Sequence, residues 1–256
     1  MAEATGRRDV PILDGVATPP ARWMWFGRFL VRRLLARYDV HVQGLDLIPA
    51  TGPVIVASNH MGYLDGPMLF GTAHRNVHAM VKESMFSGPM GFGLTMMGQI
   101  CVDRYHPDPL AVKKALRVLT GGGVLSIYPE GARGRGDVVT TKRGAAYLAL
   151  VTGAPVVPVA CLGTRLDGQS LESTPPKGTR LDLVVGPAIT VDPVPWPRTR
   201  QQVAAVQATI QDVLAGHVAQ AMRHTGQPLP ALPPTPSAPP EAESSEAECP
   251  EKRDPS

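Results

Sequence analysis

Cysteine is nearly absent from this sequence: three residues in 256, at positions 101, 161 and 249. The count is odd and the spacing unpaired, which argues against a disulfide framework and for a reducing compartment. Long unbroken apolar runs are missing too. Two uncharged stretches, 84–102 and 144–164, are long enough to be mistaken for membrane spans. The first is interrupted by Gly88, Pro89, Gly91, Gly93 and Gly98, the second by Gly153, Pro155 and Pro158. Glycine and proline at that density suit buried helix–turn–strand segments, so no transmembrane helix is expected. The basic N-terminus is not followed by a clean apolar core and cleavage site, so no signal peptide is expected either. Histidines and cysteines lack metal-ligand spacing, and there is no G-x-S-x-G elbow, so neither a metal site nor a serine nucleophile is indicated.

What is present is enough apolar material for a core. Hydrophobic residues make up 43% of the chain, compatible with one large domain or two small ones. From Gln227 onward the composition shifts to Pro, Ser and Glu without apolar periodicity. Such a segment cannot bury enough surface to offset its ordering entropy, so 226–256 is expected to be a disordered tail and 1–20 a shorter flexible end. Residues 241–256 hold six acidic and two basic residues, a net of −4 within a chain total of +3, which leaves +7 on the rest. A basic body suits a partner carrying phosphates, lipid or nucleic acid, or is an ordinary solvated surface.

Residues 22–38, RWMWFGRFLVRRLLARY, have helical spacing. On a helical wheel Arg22, Arg28, Arg32, Arg33 and Arg37 cover about half the surface, with Trp23, Met24, Leu30, Val31, Leu34, Leu35 and Tyr38 opposite. Trp25, Phe26 and Phe29 intrude on the basic side. Aromatics interleaved with arginines suit a helix lying among lipid headgroups; the alternative is a helix packed on the domain with its arginines outward. Beyond it, strands are expected at 39–43, 53–58, 77–82, 100–103, 123–128, 155–161 and 180–186. Helices are expected near 65–72, 88–97, 109–120 and 144–152, and from a Thr199/Gln202 capping box to about His224. Strands alternating with helices predict an α/β fold over 39–225, a sheet of about seven strands flanked by helices, with an N-terminal amphipathic helix at 21–38.

Four short stretches carry chemistry-bearing residues. In SNHMGYLD, 58–65, His60 and Asp65 follow the apolar strand Val54–Ala57, where a strand leaves the sheet. Taken alone, such a pair is more often a structural hydrogen bond than a catalytic one. YPEGARGR, 128–135, joins a turn glycine to Arg133 and Arg135, a suitable cradle for a phosphate or simply an exposed basic loop. GQICVDR, 98–104, ends on Arg104. APVVPVA, 154–160, is a strand with an internal Pro158, which implies a sheet edge or a bulge.

In their order and spacing, NH-x₄-D, G-x-I-x-V-D-R, Y-P-E-G-x-R and V-P-V resemble the blocks of the glycerolipid acyltransferase family, over roughly residues 40–190. The resemblance implies acyl transfer from acyl-CoA or an acyl carrier protein thioester to the sn-2 hydroxyl of 1-acylglycerol-3-phosphate, giving phosphatidic acid. It implies His60 as general base and Asp65 as the group that orients and stabilises the imidazole. It implies Lys82, Arg104, Gly131 and Arg133 around the acceptor phosphate, with Asn59, Glu130 and Pro158 in support. No other cofactor, no metal and no nucleic acid is implied; the setting is the cytoplasmic face of a membrane. A lipid hydroxyl is too weak an acid to attack a thioester unaided. An imidazole within hydrogen-bond reach supplies roughly 10²–10⁴-fold. Two positions depart from the family pattern: Ala132 replaces the usual Thr, and Met61-Gly62 replaces a more polar pair. Both leave room for another lysolipid acceptor, and a non-catalytic lipid-binding protein of the same fold is the alternative from outside enzymology.

Overall fold

Residues 10–232 are described by the computed structural model; 1–9 and 233–256, which include most of the expected tail, lie outside them. The chain runs α1 (Met24–Leu35), β1 (Asp39–Gln43), β2 (Val54–Ser58), α2 (Asp65–Thr72), β3 (Val77–Lys82), α3 (Gly88–Met96) and β4 (Ile100–Val102). It continues α4 (Pro109–Thr120), β5 (Val124–Ile127), α5 (Gly144–Thr152), β6 (Val156–Leu162), β7 (Arg180–Val185) and α6 (Arg200–Thr225). The expected strands and helices are all found, displaced by two residues or less apart from the shorter α1.

Local chemistry explains the boundaries. Asp108 caps α4 by accepting from the Ala111 N–H, and Pro109 sits in the first turn, where no amide partner is needed. Thr199 and Gln202 close the capping box that starts α6.

The seven strands form one sheet in the order β1-β7-β6-β2-β5-β3-β4. β6, β2, β5, β3 and β4 are parallel, while β7 runs antiparallel to β6 and pairs with β1 in parallel. Period-two alternation divides the core. Ile55, Ala57, Leu125 and Val156 face α4, α5 and α6; Val54, Val56, Val157 and Val159 face α1 and α2. With both faces covered, the central strands are apolar throughout, and β2 and β6 are buried along their whole length. Because five strands are parallel, their carboxyl ends lie along a single rim. The loops leaving β2, β3, β4, β5 and β6 therefore open on the same side, the usual place for a site in such a sheet.

Two expectations are sharpened by the structure. Pro158 is not on an edge, since β6 lies between β7 and β2. The β6–β7 ladder ends at Val159↔Val185 and resumes at the Val156↔Ile189 bridge, three steps on β6 against four on the partner. The extra residue is a bulge, and Pro158 sits where no ladder amide is required. Parts of both stretches expected to be flexible are packed on the domain. Leu13 is buried in the core, and Arg117 donates to the Leu13 and Val16 carbonyls at 3.0 and 3.1 Å. Beyond α6, the Ala231 N–H and carbonyl are bound by Asp167 and Arg165 at 2.6 and 2.9 Å. Of the cysteines, Cys161 is a free buried thiol.

Candidate active site

His60 stands two residues beyond β2, and Asp65 opens α2. Asp65 is fully buried, and its carboxylate gathers four donors. His60 Nδ1 lies 2.7 Å from Oδ2, which also accepts from the Met61 and Gly62 amides at 2.9 and 3.0 Å. The Thr164 hydroxyl donates to Oδ1. Backbone amides can only donate, so Oδ2 is an acceptor and Nδ1 carries the proton. In the neutral ring this leaves the Nε2 lone pair free. The imidazole lies against the Tyr128 ring, centroids 4.2 Å apart and planes 26° from parallel, and stays 18% exposed. It is held in plane and accessible.

The departure at Met61-Gly62 has a structural reason. A Cβ on Gly62 would lie 2.4 Å from the Thr164 carbonyl oxygen, so only glycine lets the loop bring two amides onto Asp65. Asn59 ties this loop to the neighbouring strand. Its amide donates to the Cys161 and Gly136 carbonyls at 3.0 and 3.3 Å and accepts from the Cys161 N–H at 2.8 Å. Arg165, 1% exposed, joins Met61 O, Gly134 O and Ala231 O at 2.8–2.9 Å. Burial pushes the Cys161 thiol up, which leaves it inert as a nucleophile.

Glu130 supports the histidine through the backbone, accepting from the His60 N–H at 2.7 Å. Burial is the main cause that lifts its carboxyl from 4.5 to about 7, helped by Asp137 and Asp65 nearby. The raised value favours the protonated fold. Glu130 therefore contributes stability that is complete below about pH 4.5, declines as pH rises, and is gone above about 7. The shift from 4.5 to about 7 corresponds to at most about 3 kcal/mol. Glu130→Gln keeps an acceptor for the His60 amide and cannot ionise. Its melting temperature is expected to fall less than the wild type's between pH 5 and 7.5; parallel melting curves for the two proteins would show that this carboxyl does not titrate there.

The cations of the candidate site stand around the turn after β5. Gly131 closes that turn, its N–H donating to Tyr128 O at 2.9 Å with φ +76°, and a Cβ there would press on the Lys142 side chain at 2.6 Å. Arg104, after β4, donates to Gly131 O at 2.6 Å, and Lys142 Nζ to Arg104 O at 3.0 Å. Arg133 lies over the Tyr63 ring at 5.5 Å and is 11% exposed; with Lys82, at the end of β3, it meets the carboxylate of Glu172. Eight of the nine expected site residues thus lie at or near the rim. Pro158 is the exception in kind, inside β6 and shaping the sheet. Thr164, Arg165, Tyr128, Lys142 and Glu172 were not singled out from the sequence. The only available signal for Thr164 and Arg165 was their place just beyond a strand, the same address as His60.

A buried aspartate orienting an accessible histidine, with cations close by, is equipment for general-base chemistry on an anionic compound. Residues 39–162 match the model of the acyltransferase family. It is similar to the 1-acyl-sn-glycerol-3-phosphate acyltransferase of Bacillus subtilis, 33% identical over 132 residues, 51% of this chain and 66% of that protein. The protein of the same name from Borreliella burgdorferi is 32% identical over 134 residues, 51% of this chain and 54% of that one. The chloroplastic LPAT1 of Arabidopsis thaliana is 30% identical over 132 residues, covering 50% of this chain and 37% of that protein. The matches thus span from about two fifths to two thirds of these relatives. The fold is that of the crystal structure of the 1-acyl-sn-glycerophosphate (LPA) acyltransferase PlsC from Thermotoga maritima, with TM-score 0.62, 21% identity, and coverage of 77% of this chain and 79% of that one.

Proposed function

We propose that the protein moves a fatty acyl group from an acyl thioester, acyl-CoA or acyl carrier protein, to the sn-2 hydroxyl of 1-acylglycerol-3-phosphate, giving phosphatidic acid. The observation that carries this reading is the His60–Asp65 pair, with Nδ1–H donated at 2.7 Å to a buried carboxylate, inside the stretch that matches the acyltransferase family model. The names of the similar proteins support the choice of acceptor. His60 Nε2 takes the proton of the acceptor hydroxyl as its oxygen attacks the thioester carbonyl. The tetrahedral intermediate then expels the thiolate, which recovers the proton from the imidazolium, so ester and free thiol are the products. Asp65 stabilises the imidazolium between the two transfers. Because the thioester is already activated, no acyl-enzyme is needed. Lys82, Arg104, Arg133 and the Gly131 turn hold the acceptor's phosphate. Product mass spectrometry with purified full-length protein, mixed lysolipids and each donor in turn is expected to show phosphatidic acid; its absence with both donors would overturn the reading.

The site is proposed to work at a membrane surface. No helix among the described residues is long and apolar enough to cross a membrane. α1 is not arranged as the wheel suggested. Met24, Gly27 and Leu35 are buried, and Arg28 and Arg32 donate to the Ala73 and Gly71 carbonyls, where α2 ends. Those two arginines tether the helix. Trp23, Trp25, Phe26, Phe29 and Leu30 stand exposed instead, with Met90 and Phe92 exposed on α3. Such residues suit insertion into the headgroup boundary. Replacing Trp25 and Phe29, 69% and 55% exposed, together by Ser is expected to weaken liposome binding at least tenfold, independently of salt and without lowering the melting temperature. Unchanged co-sedimentation would assign the aromatics another role.

A further inference from the structure

The two oxygens of Asp65 are held unequally. Oδ2 takes three N–H donors, from His60 Nδ1 and the Met61 and Gly62 amides. Oδ1 takes the Thr164 hydroxyl, its only donor among the described residues. Both Asp65 and Thr164 are fully buried. The terminal torsion of an aspartate has a broad, shallow preference, so three bonds on one oxygen fix a point and a bond on the other fixes the plane. Thr164 reaches Asp65 because β6 lies beside β2 in parallel, which makes neighbours of the residues beyond their carboxyl ends. The main chain on either side of this contact is held by other means. Arg165 donates to Met61 O and Gly134 O at 2.9 and 2.8 Å, and farther on the Ser170–Ser173 turn is tied to Arg133 through Leu171 O at 2.7 Å. The histidine loop is anchored to β6 by Asn59, and the His60 N–H and carbonyl bind Glu130 and the Gly134 N–H at 2.7 and 2.9 Å. Neither segment depends on the Thr164 hydroxyl for its course; what that hydroxyl alone holds is Oδ1.

We propose that Thr164 is a positioning residue for the acyl transfer, third in a Thr164–Asp65–His60 chain, whose hydroxyl fixes the carboxylate plane and keeps Oδ2 aligned with Nδ1–H. The inference rests on His60 being the general base. When the imidazole takes the acceptor's proton, its new charge is stabilised by Asp65 only as well as the two groups are aligned, and small misplacements at a reacting centre are costly in rate. Threonine suits the task because a β-branched side chain is stiff at χ1 and offers its hydroxyl in one place. Thr164 is buried and acts through Asp65, so its contribution falls on the proton transfer and not on the binding of either substrate. Its loss therefore appears in kcat while KM is kept.

The test compares the full-length wild type with Thr164→Val, which keeps the shape without the donor, and Thr164→Ser, which keeps the donor. Steady-state kcat and KM are measured with 1-acylglycerol-3-phosphate and whichever thioester supports turnover, and each protein is melted. Thr164→Val is expected to lose roughly 10- to 100-fold in kcat, with KM for both substrates within about twofold of wild type. Thr164→Ser is expected to recover kcat to within about threefold of wild type. The same Val substitution is also made in His60→Ala. There it is expected to change the residual rate by less than about twofold, because groups that act as one unit are not additive. A merely structural role would lower both backgrounds alike and would raise KM or depress the melt in proportion. Should Thr164→Val not fold, Thr164→Ala takes its place in each comparison. Near-wild-type kcat in the variant lacking the hydroxyl, a serine no better than valine, or an equal loss in the His60→Ala background would overturn the proposal. The base reading is judged separately: a His60→Ala protein keeping more than about a tenth of the rate would overturn both, whereas an inactive His60→Ala beside an active Thr164→Val would overturn this proposal alone.

Discussion

His60→Ala is expected to lower steady-state turnover by roughly 10²–10⁴-fold, while lysolipid binding and the melting temperature change little. The reason lies in the geometry. Nδ1–H is committed to Asp65 at 2.7 Å, so Nε2 is the basic atom left for the proposed proton transfer. The ring is 18% exposed and its removal orphans no other side chain, so the loss should be chemical. Asp65→Asn is expected to cost a similar factor for a different reason. Oδ2 accepts from three N–H groups and Oδ1 from the Thr164 hydroxyl. An asparagine can keep its oxygen toward the amides and turn its NH₂ to Thr164, whose hydroxyl can rotate to accept. The loop then survives, but the negative charge that stabilises the imidazolium is gone. Steady-state rates with a thermal melt of each variant separate the two effects. More than about a tenth of the wild-type rate in His60→Ala would mean that another group is the base.

Arg133→Ala is the second large effect, expected at about 10–150-fold in kcat/KM for 1-acylglycerol-3-phosphate. A charge-assisted contact is worth about 1.5–3 kcal/mol, which gives that range. The loss should largely vanish with an acceptor that has no phosphate. Arg133 also holds the Leu171 carbonyl at 2.7 Å and lies over Tyr63, so a melt must accompany the kinetics. Arg133→Lys restores the charge without the planar fork and should recover only part of the activity. Equal losses on phosphorylated and unphosphorylated acceptors would show that the residue serves the Ser170–Ser173 turn and not the substrate.

Much of the site could be read beforehand because its parts are short and local. NH-x₄-D, V-D-R and Y-P-E-G-x-R each follow an apolar strand, and the structure brings His60, Arg104, Glu130 and Arg133 to the same rim. What was missed has no local mark. Thr164 and Arg165 sit in the unremarkable stretch GTRLD, and their importance comes from reaching across to Asp65 and to the Met61, Gly134 and Ala231 carbonyls. Glu172 reads as one acidic residue in a polar loop. The wheel at 22–38 gave the periodicity correctly but not the direction. The carbonyls at the end of α2 claim Arg28 and Arg32, and this leaves the aromatics exposed.

The sequence by itself determined the elements and their ends. Alternation of apolar residues, an aspartate before Pro109, a Thr199/Gln202 box and glycines at turns are signals written within a few neighbouring residues, where backbone sterics and capping hydrogen bonds act. It also determined which residue types stand beyond each strand. Only the tertiary structure decided which of them meet. Strand order is set by pairing between segments far apart in the chain, and the alternation within a strand says nothing about its neighbour. Pro158 therefore read as a sign of an edge or a bulge, and only the ladder to β7 decides for a bulge within an interior β6. The same non-local pairing sets β6 beside β2, so that Thr164 reaches Asp65 and Asn59 reaches Cys161.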